Sequence, residues 1–580
     1  MGMPTHAHLF HIGPCKDGDL YFNNIATALT ARRPPICSRA RVSEPNFPPM
    51  NTNYAVPVVI GSTVVWLAVK AMSIGKRDAD LPPGPPTVPL LGNLHEFPKT
   101  EAHLKLTEWA RIYGGIYSAM VLTDVSAVKE LMDKRSQSTV DRPPNHMADL
   151  VAGGMNMVLA RYTEDWRTLR RAAHAILTPQ ACAGHLPIQR AEASQLLHDI
   201  LTTPEKFYMH IRRYSSSVIL SVLFGKRAPR FETKEVTDFF NAQHSWEEVL
   251  EPGAHPPMDL IPILKKVPES LASWKTLCKK TRKLQRDLYF GLLEETEQRV
   301  ANHQENNCFM EQILARQEEF GMSRELVGYL GGVLLEGGSD TTSSFLQTLV
   351  LGLTAFPDVQ KRAQAEIDSV IGSDHAPGPD DFNNLPYIQA IIKECHRWRP
   401  VAPLAIPHGT IQEEIYRGYR IPAGATIFVN NWGMFHDPDV YERPQDFWPD
   451  RFMQNEFGTK PGVDNSDRRN NMAFGSGRRF CPGVHLANNS LMLNAMNLIW
   501  AFNFGPAVDP DTGKDLPVDI YDYAKGILTC PNPFKCTITP RSAHHAEIIE
   551  HDFAAAGPAF EPFERDLREE DRAYISTQRK

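Results

Sequence analysis

The sequence lacks paired cysteines, an excess of positive charge and a nucleotide-binding glycine loop. Its nine cysteines are odd in number and form no Cys-x-x-Cys pair, so neither a disulfide framework nor a cysteine zinc site is indicated. A net charge of −7 over 580 residues disfavours nucleic acid as a partner, because proteins that bind phosphate backbones usually carry a basic surface. Unpaired cysteines fit a reducing compartment best.

Dinucleotide and triphosphate motifs are also absent. Gly475-Ser476-Gly477 lacks the third glycine, no strand–turn–helix context precedes it, and no acidic residue follows at the required distance. The composition, 42% hydrophobic and 22% charged, is that of an ordinary globular protein with a sizeable core. The length alone is compatible with several average domains or with one large catalytic domain.

Residues 1–53 are rich in proline, histidine and arginine and show no periodicity, so they are predicted to be disordered. A long apolar stretch begins four residues after Met50. This spacing suggests that the native chain starts at Met50 and that the preceding residues are an extension. Residues found upstream of Met50 by N-terminal sequencing of the native protein would contradict that hypothesis.

Residues 54–72 are almost wholly apolar and predict an anchor helix of about 28 Å, marginally enough to span a bilayer. Lys70, Lys76 and Arg77 follow it, which predicts a cytosolic body with the amino terminus across the membrane. A buried core helix and a cleaved signal peptide are the alternatives. The weak cleavage region and the unpaired cysteines favour the anchor. Residues 73–89 are proline-rich and predict a stiff, extended hinge.

Helical periodicity dominates the chain beyond Leu90, and strand patterns are few. A hairpin is predicted over Ile415–Val429 and a further strand at Lys535–Thr539. The chain is therefore predicted to be mainly α with a smaller β region, as one domain over 90–545, followed by a charged, peripheral or disordered tail over 546–580. Helices are predicted over 102–113, 165–176, 191–201, 211–224, 268–302, 324–355, 357–371, 385–397 and 484–502.

The stretch Phe474–Gly483 packs three glycines, two arginines and Cys481 into ten residues. Glycines permit close backbone approach to a flat ligand, and arginines offer forked donors to carboxylates. Backbone N–H groups at a helix start and the nearby Arg479 are expected to lower the pKa of the cysteine, making it a metal ligand or a nucleophile. A buried structural thiol is the alternative for an isolated cysteine.

The long helix near residue 330 carries Gly337-Gly338-Ser339-Asp340-Thr341-Thr342 in its middle. Each internal glycine costs about 1 kcal/mol relative to alanine, which suggests a use. A local opening of the helix could admit a water beside Asp340 and the Thr341 hydroxyl, giving an acid and a proton relay. A kinked helix with polar residues facing solvent is the alternative.

Two pairs of side chains have helical spacing. Glu394 and Arg397, three residues apart, are predicted to form an ion pair that a buried setting would complete through Arg451. Trp166 and Arg170, four apart, offer an indole N–H and a guanidinium toward one anionic point. Taken singly, each pair is more often an ordinary surface feature.

These pieces, in this order and spacing, resemble the cytochrome P450 family over about residues 80–545. Phe474-x-x-Gly-x-Arg479-x-Cys481-x-Gly is similar to the family's haem-binding signature at every defined position. The remaining motifs match its oxygen-binding helix, helix K pair, meander and helix C pair. The anchor and proline-rich hinge resemble microsomal, fungal-type members.

The resemblance implies that haem b is the cofactor, with Cys481 as axial thiolate of its iron and the haem between the long central helix and the cysteine loop. It implies that Asp340 and Thr341 deliver protons to iron-bound dioxygen and that Phe474 packs against the proximal loop. The propionate-binding residues that it implies are Arg479, Trp166, Arg170 and His408. The structural triad that it implies is Glu394, Arg397 and Arg451.

The activity implied is an oxygen- and reductant-dependent monooxygenase that oxidises a lipophilic small molecule, with secondary metabolism as the expected setting. Oxidation of xenobiotics or fatty acids, a peroxide-using isomerase or dehydratase, and a non-catalytic haem sensor are the alternatives. The implied partners are an NADPH-cytochrome P450 reductase, docking near Arg167, Arg171 and Arg478, and the endoplasmic reticulum membrane, with the catalytic domain cytosolic.

One departure from the family is apparent in the first sheet. Only Ala119–Asp124 separate the stretch Tyr113–Ser118 from the next helix, which leaves little room for the usual two-stranded hairpin. The first sheet is therefore expected to be incomplete.

Overall fold

The computed structural model describes residues 52–73, 76–89, 92–98, 100–114, 116–117, 120–251, 254–259 and 261–579. Almost all of the amino-terminal segment expected to be disordered lies outside these ranges. The α-helices are α1 (Thr52–Ser73), α2 (Ala102–Tyr113), α3 (Val125–Val128), α4 (His146–Ala152), α5 (Glu164–Ile176), α6 (Pro179–Gly184), α7 (Leu186–Thr202), α8 (Phe207–Phe224), α9 (Lys234–Leu250), α10 (Ser273–Ala301), α11 (Phe309–Ala315), α12 (Gln317–Phe320), α13 (Arg324–Ala355), α14 (Pro357–Val370), α15 (Pro386–Trp398), α16 (Asn431–Phe435), α17 (Arg451–Gln454), α18 (Val484–Ala501), α19 (Ala543–Ala555), α20 (Gly557–Phe560) and α21 (Glu569–Gln578).

The strands are short, with two to five residues each. A four-stranded sheet has the order β1-β2-β6-β3, and two further pairs are β4 with β5 and β7 with β8. Strand β2 runs parallel to β6, whereas the other pairs are antiparallel. The strands are β1 (Ile116–Tyr117), β2 (Val121–Leu122), β3 (His408–Gly409), β4 (Glu414–Tyr416), β5 (Tyr419–Ile421), β6 (Thr426–Val429), β7 (Phe502–Pro506) and β8 (Cys536–Pro540).

Two predictions about strands are refined by the structure. The hairpin expected over Ile415–Val429 is formed only by β4 and β5, while β6 leaves it and pairs with β2 and β3 instead. The Pro422-Ala423-Gly424 turn therefore connects two sheets, because β6 supplies the centre of the larger one. The hairpin for which the sequence leaves little room is formed by β1 and β2, with two residues in each strand.

Helix α13 crosses the core, and its glycines set how closely other helices pack against it. A Cβ atom at Gly338 would lie 2.4 Å from the Ile219 side chain of α8, and one at Gly332 would lie 2.3 Å from the Tyr289 ring of α10. A Cβ atom at Gly337 would meet no heavy atom within 4 Å. Gly338 therefore allows α8 to pack closely against α13, whereas Gly337 leaves open space beside the helix.

Helix α1 covers the apolar stretch that the sequence predicts as an anchor. Large apolar side chains along it are exposed, among them Val65 at 62% and Trp66 at 57%. Within the ranges given above, no helix is both long and apolar enough to cross a membrane.

The charged tail is folded into α19, α20 and α21, which corrects the alternative of a disordered segment. Ser542 caps α19 by accepting a hydrogen bond from the His545 N–H at 3.3 Å. Ile549, Phe560 and Leu567 are buried. The spacing of apolar residues in the tail is loose, but buried ion pairs with the main body hold it in place.

Candidate active site

The conformation of the cysteine loop, residues 474–483, is fixed by Gly477 and by backbone hydrogen bonds. Gly477 has φ +56°, and a Cβ atom there would lie 2.1 Å from the Met132 carbonyl oxygen, so only glycine fits. The Gly477 N–H donates to Asp133 Oδ1 at 2.9 Å. The Cys481 N–H donates to the Phe474 carbonyl oxygen at 2.9 Å, which places the thiol just before α18.

The electrostatics of Cys481 differ from the prediction. Burial raises the pKa of the thiol, although the Gly483 N–H and the charge of Arg170 act in the opposite direction. The expectation of a lowered pKa is therefore wrong for the protein on its own, because desolvation outweighs the positive groups nearby. A thiolate here needs a further positive charge, such as a metal ion.

Three arginines, Arg142, Arg170 and Arg479, gather with His408 beside the loop. Burial is the main cause that lowers the pKa of each, and their mutual repulsion adds to it for Arg142, Arg479 and His408. For Arg479 the pKa falls to about 9. Among the described residues, Arg142, Arg170 and Arg479 form no ion pair with a carboxylate, and the nearby Asp141 is bound to Arg161 and the Tyr162 N–H.

The donors of this cluster meet backbone carbonyl oxygens. Arg479 donates to Val140 O and Ala160 O at 2.8 Å each, and its guanidinium lies 4.0 Å from the centroid of the Trp166 ring. The Trp166 indole donates to Met157 O at 3.0 Å. The arrangement leaves net positive charge without a matched anion, which suits a ligand carrying two carboxylates.

Helix α5 and strand β3 position Arg170 and His408. Arg170 donates from Nε to His174 Nε2 at 2.9 Å and from its other end to the Phe480 carbonyl oxygen. His408 Nδ1 lies 2.9 Å from the Thr139 carbonyl oxygen. These contacts bring α5, β3 and the cysteine loop to one place.

The acid and the alcohol predicted on α13, Asp340 and Thr341, differ in burial, since Asp340 is buried and Thr341 is half-buried. Asp340 is buried, and burial raises the pKa of its carboxyl, while the charge of Arg212 opposes the shift. The Thr341 hydroxyl donates to Gly337 O at 2.6 Å. The helix is continuous from Arg324 to Ala355. The expected local opening of the helix is therefore not seen at this point of α13.

Glu394 is the centre of a buried ion network. Arg397 donates to both of its carboxylate oxygens at 2.7 and 2.9 Å, and Arg451 Nε lies 3.2 Å from Oε2. The Trp448 N–H adds a bond of 2.7 Å. The structure thus brings together the three residues of the predicted triad.

Sequence reasoning missed two residues of the site. Arg142 donates to the carbonyl oxygens of Val158, Ile406 and Pro407 at 2.8 Å each. The signal that could have pointed to it is its sequence context, since Asp-Arg-Pro-Pro is proline-rich like the segment that contains Arg451. His396 lies 4.7 Å from the Phe345 ring of α13 and 5.2 Å from the Phe474 ring. The sequence around His396 does not indicate this role, because the contact joins α15 to α13 and to the cysteine loop, which are far apart in the chain.

The fold and the site define a class: mainly helical proteins with a glycine-bearing central helix, a cysteine loop and a cationic cluster for a dianionic ligand. The family model described as "Cytochrome P450" matches residues 82–536. The chain belongs to the cytochrome P450 family, whose members carry a haem-thiolate cofactor, and the family predicted from the sequence is confirmed.

Curated relatives point the same way. A cytochrome P450 monooxygenase of Armillaria gallica is 46% identical over 510 residues, covering 87% of this chain and 97% of that protein. Cytochrome P450 monooxygenase yanC of Aspergillus niger is 38% identical over 499 residues, covering 82% and 92%. The chain is therefore a haem-dependent monooxygenase, an oxidoreductase that takes electrons from a redox partner and acts on a lipophilic substrate.

A solved structure supports the fold alone. The structure titled "Zebra fish cytochrome P450 another structure with Progesterone" matches with a TM-score of 0.61 at 23% identity, covering 76% of this chain and 99% of that one. The predicted fold class, mainly α with a smaller β region, is confirmed.

Proposed function

We propose that the cofactor is haem b and that Cys481 is the axial thiolate ligand of its iron. The supporting observation is the combination of the half-buried Cys481 thiol and the arginine cluster beside it, which has no matched carboxylate. Haem carries two propionates, and ferric iron supplies the positive charge that a buried thiolate needs. When bound, the haem supplies dioxygen activation, which a thiolate ligand favours by pushing electron density toward the O–O bond.

Arg479, Trp166, Arg170 and His408 would hold the propionates in this proposal, and Arg142 joins them. Each now donates to, or lies beside, a backbone carbonyl oxygen. Replacing a carbonyl by a carboxylate strengthens such bonds, because charge-assisted hydrogen bonds are roughly twice as strong as neutral ones.

Phe474 would pack against the proximal side of the loop, where its ring already meets His396. The triad of Glu394, Arg397 and Arg451 would keep the segment beneath the loop rigid. Arg397 and Arg451 also donate to backbone carbonyl oxygens of the segment 435–446, so the network ties that loop to α15.

Asp340 and Thr341 would handle protons on the other side of the cofactor. The raised pKa of Asp340 lets its carboxyl hold a proton at a higher pH than a free aspartate does. The Thr341 hydroxyl can turn from Gly337 O to pass a hydrogen bond into the open space beside that glycine. Asp340 would then restore the proton from the protein side.

The expected electron donor is an NADPH-cytochrome P450 reductase. Arg167, Arg171 and Arg478 are exposed, which suits docking of an acidic partner. We place the protein at the endoplasmic reticulum membrane with its catalytic domain cytosolic, supported by the exposed apolar side chains of α1. Its similarity to fungal monooxygenases supports a role in secondary metabolism.

The proposed proton relay is tested by reconstitution with reductase and NADPH. A spectral screen of lipophilic metabolites first identifies a ligand that displaces water from the iron. The wild type should then form an oxidised product only with NADPH, and Thr341→Ala should divert reducing equivalents to hydrogen peroxide. Equal coupling in wild type and Thr341→Ala would remove the relay, and product formation without reductant would favour a peroxide-using isomerase or dehydratase.

A further inference from the structure

One turn of the chain, residues 156–160, supplies carbonyl oxygens to the cationic cluster beside the cysteine loop. Arg479 donates to Met157 O at 3.2 Å and to Ala160 O at 2.8 Å. The Trp166 indole donates to the same Met157 oxygen at 3.0 Å. The position of this turn therefore sets where the donors of the cluster point.

Asn156 holds the turn in shape from within. Its side-chain Oδ1 accepts from the N–H groups of Val158 and Leu159 at 3.0 and 3.3 Å. Its backbone carbonyl oxygen accepts from the Ala160 N–H at 2.7 Å. In the turn closed in this way, Val158 O accepts from Arg142 Nε at 2.8 Å. Asn156 is 4% exposed, so these bonds are shielded from solvent.

The amide nitrogen of Asn156 ties the turn to α13. Because Oδ1 serves two backbone N–H groups, the amide nitrogen faces the other way and donates to Glu336 Oε2 at 3.2 Å. Glu336 Oε1 accepts from Gln285 Nε2 at 3.0 Å and from the Tyr289 hydroxyl, both of α10. The half-buried Glu336 thus joins the turn to α13 and α10 at once.

The carboxylate of Glu336 is itself held in place. Gly332 lacks the Cβ atom that would lie 2.3 Å from the Tyr289 ring, so the ring lies against the backbone of α13. Gln285 and Tyr289 are both buried. An amide nitrogen only donates and a carboxylate only accepts, so the bond between Asn156 and Glu336 forms in one orientation. It therefore fixes the turn relative to α13.

We propose that Asn156 and Glu336 are positioning residues for the cofactor. They act by fixing the turn that orients Arg142, Trp166 and Arg479. The inference rests on the proposed function, in which this cluster holds the haem propionates. It adds that α13 and α10, which carry none of the proposed propionate-binding residues, set the position of the cluster through one side-chain hydrogen bond.

Reciprocal substitution tests this bond. Asn156→Asp sets two carboxylates against each other, and Glu336→Gln sets two amide nitrogens against each other, so each single variant breaks it. The double variant restores it, because the new amide donates to the new carboxylate while the other oxygen of each side chain keeps its partners. Burial raises the pKa of the Glu336 carboxyl to about 7, so measurements are made above that pH, where it is charged.

The readouts are the resonance Raman spectrum of the ferric holoenzyme and the rate at which haem passes to an excess of a haem-binding apoprotein. The propionate bending band should move to lower wavenumber in each single variant, because weaker hydrogen bonds to a carboxylate lower its bending frequency. Haem loss should accelerate about tenfold, the equivalent of one lost hydrogen bond to a charged group. The double variant should return both readouts toward the wild type.

The matched control makes the same two exchanges at exposed positions, Asn241→Asp with Glu319→Gln, and should match the wild type. A merely structural bond predicts lower melting temperatures in the single variants with an unmoved propionate band. If the single variants take up no haem, recovery of haem content in the double variant is the expected result. A double variant that behaves like the single variants overturns the inference.

Arg479→Ala separates this inference from the proposed function. If its propionate band and its rate of haem loss match the wild type, the cluster does not hold the propionates, and both proposals fail. If Arg479→Ala changes these readouts but Asn156→Asp and Glu336→Gln do not, only the inference about the turn is overturned.

Discussion

Two buried ion networks, each centred on one glutamate, differ in how the chain assembles them. Glu394 is joined by Arg397 of the same helix and by Arg451, and the two arginines complete their bonds on backbone carbonyl oxygens. Glu192 of α7 pairs with Arg213, which lies in α8, and with Arg227, which lies three residues after the end of α8.

The second network reaches into the tail. Arg227 lies between Glu192, at 2.9 Å, and Glu564, at 2.7 Å, and its guanidinium covers the Phe560 ring at 3.5 Å. Asp566 and Asp571 pair in the same way with Arg299 and Arg230 of the main body. Arg397 and Arg451 share one carboxylate and complete their bonds on backbone carbonyl oxygens, whereas Arg227 and Arg299 gain a further carboxylate from the tail, beyond the residues that match the family.

Deleting residues 543–579 tests this difference most severely. The loss removes buried Ile549, Phe560 and Leu567. It also takes one of two carboxylate partners from each of Arg227 and Arg299. We expect at least about 5 kcal/mol of lost stability, measured by thermal unfolding. Stability within 1 °C of the full chain would show that the tail is not part of the core.

Arg397→Ala breaks the Glu394 network and leaves the buried Glu394 with Arg451 as its remaining ion-pair partner, at the longer distance of 3.2 Å. Removing one member of a buried pair costs about 3–5 kcal/mol, so haem content and melting temperature should both fall. Arg316→Ala breaks an exposed pair with Glu319 and serves as the control, with no measurable change expected. Equal effects of the two variants would contradict the account.

Glu564→Gln keeps the shape of the tail but removes one charge from Arg227. Because Glu192 still pairs with Arg227, we expect a smaller loss of about 1–2 kcal/mol, with the spectrum of bound haem unchanged. Glu570→Gln, at an exposed carboxylate of the same tail, should leave stability as it is. A shift in the haem spectrum of Glu564→Gln would show that the networks are coupled.

The smallest effect concerns the Glu192 network and pH. Arg213 serves both Glu192 and Asp199, and burial raises the pKa of Asp199 to about 6. Its contribution is therefore present below pH 3.8 and lost as pH rises through about 6. In Asp199→Asn, stability should change less over this range than in the wild type. An unchanged pH dependence would contradict the raised pKa.

The sequence was sufficient for the parts of the molecule that local pattern encodes. Helix α13 begins and ends at the predicted residues, because its cap Ser323 and its apolar run are continuous in the chain. The Glu394–Arg397 pair follows from helical spacing. The cysteine loop could be recognised because ten adjacent residues carry it.

The remaining features depend on contacts between distant segments. The folding of the tail could not be predicted, because its carboxylates acquire partners only when Arg227 and Arg299 are brought beside them. The same holds for the cationic cluster, where Arg142 meets carbonyl oxygens more than 260 positions away. Strand β6 was assigned to the wrong pairing because alternation marks a strand but not its neighbour.

The central claim is that Cys481 holds the haem iron as a thiolate. The most direct measurement is the carbon monoxide difference spectrum of the reduced, purified protein, compared between the wild type and Cys481→Ser at equal protein concentration. The account predicts a thiolate-type ferrous carbonyl band in the wild type and its loss in Cys481→Ser. A thiolate-type band that persists in Cys481→Ser would contradict it.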